Sequence, residues 1–171
     1  MDEAAIRLFL ETDYHRLVAG FWLLADGEAV AEEAVQEALA RAWERGERGE
    51  RIESLPAWVA TAAANILRSR IRRRIVERRV RKRLGPVAIE PEPPSTTELR
   101  VDVGRAIRAL PRRQREAIVL RYLADLDIAE VARALGRTEG AVRTMLHRAR
   151  ATLALALGES DREEEDHVIG R

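Results

Sequence analysis

Apolar residues at Ile6, Phe9, Leu10, Tyr14, Leu17, Val18 and Phe21 recur at steps of three and four, the mark of one buried helix face. A second helix is predicted over about 28–45, with Ala31, Val35, Ala38, Leu39, Ala42 and Trp43 on one side. Its other side carries Glu33, Gln36, Glu37 and Glu44. The polar stretch Glu47–Ser54, with Gly49 inside it, reads as a loop. Pro56 suits the first turn of a third helix, where a missing amide hydrogen costs nothing. The apolar line of that helix runs through Trp58, Ala62, Ile66, Leu67, Ile71 and Ile75. No stretch shows a convincing period of two, so the expected fold is all-α.

Prolines divide this helical pattern. None precedes Pro56, and four of the six lie between Pro86 and Pro94. The segment Gly85–Thr97 has no apolar periodicity and the stiff, extended character of a proline-rich linker. Two small helical domains are therefore expected, at about 1–84 and 98–158, with a linker at 85–97 and an acidic tail at 159–171.

Composition narrows the chemistry. Cysteine is absent, which excludes disulfides and thiolate sites, and the scattered His15, His147 and His167 make no metal-ligand spacing. Neither a metal nor another cofactor is expected. No paired carboxylates, nucleophile–base pair or phosphate-cradling glycine loop suggests an enzyme. No apolar run approaches the roughly 18 residues of a membrane span, and Met1-Asp2-Glu3 is unlike a signal peptide. A soluble, cytoplasmic protein is expected, without membrane insertion. Six of the seven aromatics precede residue 60, with only Tyr122 beyond, so the two cores should differ in character, and Trp22, Trp43 and Trp58 are expected in the first.

The net charge of +1 conceals strong polarisation. Residues 26–53 hold nine acids and four arginines, net −5, and residues 159–171 six acids and two arginines, net −4. Between them, residues 65–83 hold ten bases and one acid, net +9. Such a distribution suits one polyanionic and one cationic partner.

Two stretches carry candidate binding chemistry. In residues 127–150, Ala132 permits close helix approach, Gly136 can end one helix, Thr138 can cap the next, and Val142 with Met145 or Leu146 can anchor it. That spacing is the pattern of a DNA-binding helix-turn-helix. Its second helix would present Glu139, Gly140, Arg143, Thr144, His147 and Arg148 away from the anchor, where an arginine can pair with guanine and others hold phosphates. On the third N-terminal helix, Asn65, Arg68, Ser69 and Arg72 share one face that could follow a phosphate backbone while Asn65 reaches bases.

Together these blocks resemble the extracytoplasmic-function sigma factors of bacterial RNA polymerase. Segment 26–45 looks like the helix that docks on the polymerase clamp, with its core at Glu33, Gln36, Glu37 and Trp43. Segment 55–74 resembles the region that melts and binds the downstream promoter element, and segment 109–153 the domain that reads the upstream element. The resemblance spans roughly residues 5–157. It implies that Asp26, Glu33, Gln36 and Glu37 meet the clamp helices of the beta-prime subunit. Asn65, Arg68, Ser69 and Arg72 would touch the non-template strand, with loop 47–54 shaping a pocket for an extruded base. Arg121, Thr138, Glu139, Gly140, Arg143, Thr144, His147 and Arg148 would form the upstream contact surface. The linker would thread towards the RNA exit path. Core RNA polymerase (clamp helices and beta flap), promoter DNA and an anti-sigma factor are the implied partners.

The sequence also departs from that family at several places. Glu139 stands where an apolar or small residue is more usual, and Ala60, Thr61 and Ala64 replace bulkier or basic ones. An ordinary helix-turn-helix regulator would explain 109–153 but leave the acidic helix and the arginine run without a task. A helical adaptor binding only proteins would lack the steep salt dependence that these arginines imply in a DNA complex.

Overall fold

A computed structural model of the chain describes the backbone of residues 3–81 and 98–169 and the side chains of residues 3–76 and 103–158. The described backbone consists of helices and their connections, as the periodicity predicts. The N-terminal half contains α1 (Glu3–Thr12), α2 (Tyr14–Trp22), α3 (Glu28–Glu47) and α4 (Leu55–Arg81). The C-terminal half contains α5 (Glu98–Ala109), α6 (Arg112–Ile118), a π-helical turn (Val119–Leu123), α7 (Ile128–Leu135) and α8 (Glu139–Ile169). The linker expected at 85–97 lies outside the described residues.

The first core is made where α2 and α4 pack against α3. Phe9, Leu17 and Phe21 meet a floor of Ala31, Ala34, Val35, Ala38 and Ala42 from α3 and Val59, Ala60, Ala63 and Leu67 from α4, all buried. Alanines on both facing helices let their backbones approach closely, while Phe9 and Phe21 are the largest fully buried side chains of this core. Because Ala34, Ala38 and Ala42 centre the buried stripe, Trp43 falls on its flank and is 40% exposed. The expectation of Trp43 as a core residue is thereby corrected. Trp22 and Trp58 are half-buried against the core. Ile75 lies beyond the end of the α3 contact and is likewise exposed.

The single first helix expected from Ile6 to Phe21 is two. It breaks at Asp13, where the Thr12 hydroxyl donates to the carbonyl of Leu8 (2.8 Å) and the Asp13 carboxylate pairs with Arg16. Short polar side chains compete in this way with regular backbone pairing. Helical bonds from Asp13 N to Phe9 O and from Leu17 N to Asp13 O span the break, so one apolar face serves both helices.

In the second core, Ile107 of α5 and Leu110 just past its end meet Ile118, Val119 and Leu120, the α7 residues Val131 and Leu135, and Val142, Leu146 and Ala149 of α8. The π turn is closed by Ala124 N donating to Val119 O at 2.9 Å, and Asp125 follows with a positive φ of 54°. Beyond the cap of α8 no proline interrupts the chain, and its helix continues to Ile169, through the segment expected as an acidic tail. No helix among the described residues is long and apolar enough to cross a membrane, and no metal-holding group of side chains occurs among them.

Candidate nucleic-acid interface

The C-terminal surface is built by two caps. Asp127 accepts from Glu130 N (2.7 Å) while the Glu130 carboxylate accepts from Asp127 N (2.8 Å), a reciprocal box that starts α7. Gly136 ends α7 at φ 62°, ψ 45°, a left-handed conformation that disfavours other residues. Two residues later the Thr138 hydroxyl accepts from Ala141 N (3.2 Å) and caps α8. Ala132 is buried at the crossing, and Val142 and Leu146 anchor α8 in the core, with Met145 half-buried beside them. The expected helix-turn-helix is present with its turn at the expected residues.

With that side of α8 buried, Thr138, Glu139, Gly140, Arg143, Thr144, His147 and Arg148 are all exposed on the other. Arg143 Nη2 lies 2.8 Å from Glu139 Oε2, one helical turn away. The Thr144 hydroxyl donates to the Gly140 carbonyl at 3.0 Å. Arg121 stands apart from this row: it donates to the Leu126 carbonyl (3.2 Å), lies 3.8 Å from Asp125 and rests 5.6 Å from the Tyr122 ring. Arg133 and Arg137, which the sequence reading passed over, are exposed on the rim of the groove between α7 and α8. Their signal was the placement of two arginines immediately before and immediately after Ala134–Gly136.

On α4 the expected face divides. Asn65 and Arg72 are exposed, whereas Arg68 and Ser69 are half-buried. Arg68 donates to Asn65 Oδ1 (2.6 Å), to the carbonyl of Ala64 (3.3 Å) and to the carbonyl of Ala134 in α7. Burial pulls the Arg68 guanidinium below its ordinary value, offset in part by Glu116.

The arginine run does not act as one surface. Arg70 and Arg74 turn towards α3, because two residues of helix rotate them about 200° from Arg68 and Arg72. Arg70 pairs with Glu33 and Glu37 (2.9 Å each), and Arg74 with Asp26 (2.9 Å). Glu37 also receives Arg41 at 2.5 Å. Three of the four expected docking residues are thus gathered along the α3–α4 edge, each with an arginine counterion. Gln36 faces a different flank, where its amide donates to the Tyr14 hydroxyl (3.1 Å) and to Glu32 (3.2 Å). The loop after α3 turns at Gly49 (φ 79°), and beside it Arg45 pairs with Glu50 and lies 5.7 Å over the Trp58 ring.

Two family descriptions match this chain: Sigma-70 region 2 over residues 11–75 and Sigma-70 region 4 over residues 100–153. The ECF RNA polymerase sigma factor SigL of Mycobacterium tuberculosis is 30% identical over 162 residues, covering 92% of each chain. The chain belongs to the ECF RNA polymerase sigma factors. A second member, BldN of Streptomyces coelicolor, is 31% identical over 142 residues; the match covers 80% of this chain and 54% of BldN. Among solved structures, the sigma factor RpoE of Bartonella quintana, determined with the anti-sigma factor NepR, matches with a TM-score of 0.71 and 28% identity. That match covers 90% of this chain and 96% of RpoE. The two sigma regions coincide with the α2–α4 bundle and the α5–α8 helix-turn-helix unit, so the resemblance read from the sequence and the architecture agree.

Proposed function

We propose that this sigma factor acts by binding alone: it docks on core RNA polymerase and grips a promoter at two elements to direct initiation. The observation that carries this reading is the recognition helix, whose base-facing residues from Thr138 to Arg148 are exposed while Val142, Leu146 and Ala149 are buried opposite them. In this reading α8 enters the major groove of the upstream element, with Arg143 on a guanine. Arg148, Arg133 and Arg137 hold the flanking phosphates, and Arg121 braces the π turn against the start of α7.

Asp26, Glu33, Gln36 and Glu37 supply the polymerase-docking surface, including the beta-prime clamp helices, and the C-terminal domain reaches the beta flap. Asn65, Arg68, Ser69 and Arg72 hold the unpaired strand, and the Arg48–Ser54 loop beside Trp58 receives an extruded base. An anti-sigma partner belongs to the proposal as well, supported by the likeness to a sigma factor solved in complex with one.

The test is selection of fragments from a random DNA pool by this chain bound to sigma-free core polymerase. Two short sequence blocks at a fixed spacing are expected in the recovered fragments. Recovery of one block alone, or of none with active core enzyme, would contradict a two-point grip.

A further inference from the structure

Gln36 stands apart from the other docking residues, and its surroundings differ in charge. Along the α3–α4 edge each of those acids already has an arginine of this chain: Glu33 and Glu37 hold Arg70, and Asp26 holds Arg74. On the flank where α2 packs on α3, Gln36 and Glu32 lie one turn apart, both exposed, and meet Tyr14 instead. Among the described residues no arginine reaches Glu32, and Arg16, the arginine nearest Tyr14 in sequence, is taken up by Asp13.

The hydrogens fix this arrangement. Tyr14 has one hydroxyl proton and donates it to Glu32 Oε1 at 3.1 Å. Its oxygen accepts from Gln36 Nε2 at 3.1 Å, and the other amide hydrogen goes to the same Glu32 oxygen at 3.2 Å. Turning the Gln36 amide over would set its carbonyl against a carboxylate oxygen and a phenol whose proton is already given. The amide therefore has one orientation. Burial raises the Tyr14 phenol above its ordinary value; the bond from Gln36 opposes that shift and Glu32 adds to it, so the hydroxyl keeps its proton at neutral pH. The ring is held edge-on by buried Phe9, with centroids 6.5 Å apart, and by His15 at 5.5 Å. With these donors turned inward, two acceptors are left over. They are Gln36 Oε1 and Glu32 Oε2, and neither takes a hydrogen bond among the described residues. Two acceptors on neighbouring turns, one of them on an uncompensated carboxylate, suit the forked donors of a guanidinium.

We propose that Tyr14 is a positioning residue of the polymerase-docking surface, and that Glu32 and Gln36, held by it, receive an arginine of the clamp between Gln36 Oε1 and Glu32 Oε2. The inference rests on the reading of Gln36 as a docking residue and adds Tyr14 and Glu32 to that surface. It also divides the surface by mechanism. On the α3–α4 edge a partner cation has to displace Arg70 or Arg74, whereas on this flank it displaces only water.

The test is binding of the full-length chain to sigma-free core polymerase, read by competition against a labelled copy of the native chain. Tyr14→Phe keeps the ring and removes only the hydroxyl, so it should weaken binding about fivefold. In a Gln36→Ala background the same change should have no effect, because Tyr14 acts through Gln36. An equal loss in both backgrounds would mark a general effect of the hydroxyl on the fold and overturn the proposal, as would no loss in the native background. Glu32→Gln still accepts from Tyr14 and Gln36 but carries no charge, and it should both weaken binding and flatten its salt dependence. An unchanged salt dependence overturns the cationic occupant. Gln36→Ala alone should cost about tenfold; binding equal to that of the native chain would sink the docking reading of Gln36 itself, and the positioning role with it.

Discussion

Glu139 and Arg143 act as a unit at the start of the recognition helix. The carboxylate favours the positive end of the α8 dipole and holds the Arg143 guanidinium at 2.8 Å, in an exposed pair that alone contributes little stability. The pair's consequence is aim: Arg143 is presented with one donor edge engaged and the rest free for a base. Arg143→Ala should relax selectivity at one upstream base pair by about 1–3 kcal/mol, measured by binding to a panel of single-base promoter variants. A uniform loss across the panel would identify a phosphate contact instead. Gly136→Ala, at φ 62°, should cost about 1 kcal/mol in urea unfolding through left-handed strain at the helix end. At this scale the sequence was highly informative, since Thr138, Gly136 and Val142 depend on neighbours within one or two turns. Arg68 was legible only as a basic residue on a helix face, because its acceptor at Ala134 lies 66 residues away.

Helix α4 carries two different sets of charges on opposite flanks. Its Arg68 and Arg72 side belongs to the candidate strand surface, while Arg70 and Arg74 hold Glu33, Glu37 and Asp26 on the docking edge. These pairs are half-exposed, so a double-mutant cycle between Arg70 and Glu33 should return about 0.5 kcal/mol of coupling in denaturant unfolding. A coupling indistinguishable from zero would show that the pair is only geometric. The helical stretches at Ile6–Phe21, at about 28–45 and beyond Pro56 followed from apolar spacing, because burial selects that spacing directly. The break at Asp13 did not, since it turns on side-chain hydrogen bonds of Thr12 and Asp13 that leave the apolar face continuous. Trp43 was misplaced for a related reason: periodicity gives the buried side of α3, but the packing that fully buries Ala34, Ala38 and Ala42 decides where its centre falls.

For the whole molecule, the polarised charge now has a structural account. Acids from α3 and bases from α4 meet along one edge, leaving Asn65, Arg72 and the α8 face outward, with Arg68 shared between the domains. Because guanidinium–phosphate contacts release counterions, Arg72→Ala should reduce the salt slope of promoter binding by the polymerase complex by about one. An unchanged slope would place Arg72 away from phosphate. Two domains and their order were readable from the proline-rich interruption and the two motif blocks, whereas the seam between the domains was not, since no local pattern encodes Gly20 against Leu123 or Arg108 against Trp22. The most direct measurement adds the purified full-length chain to sigma-free core polymerase and maps RNA 5′ ends over a genomic library. The account predicts discrete starts, absent with core alone, that share two upstream sequence blocks; active core enzyme giving no start that depends on this chain would contradict it.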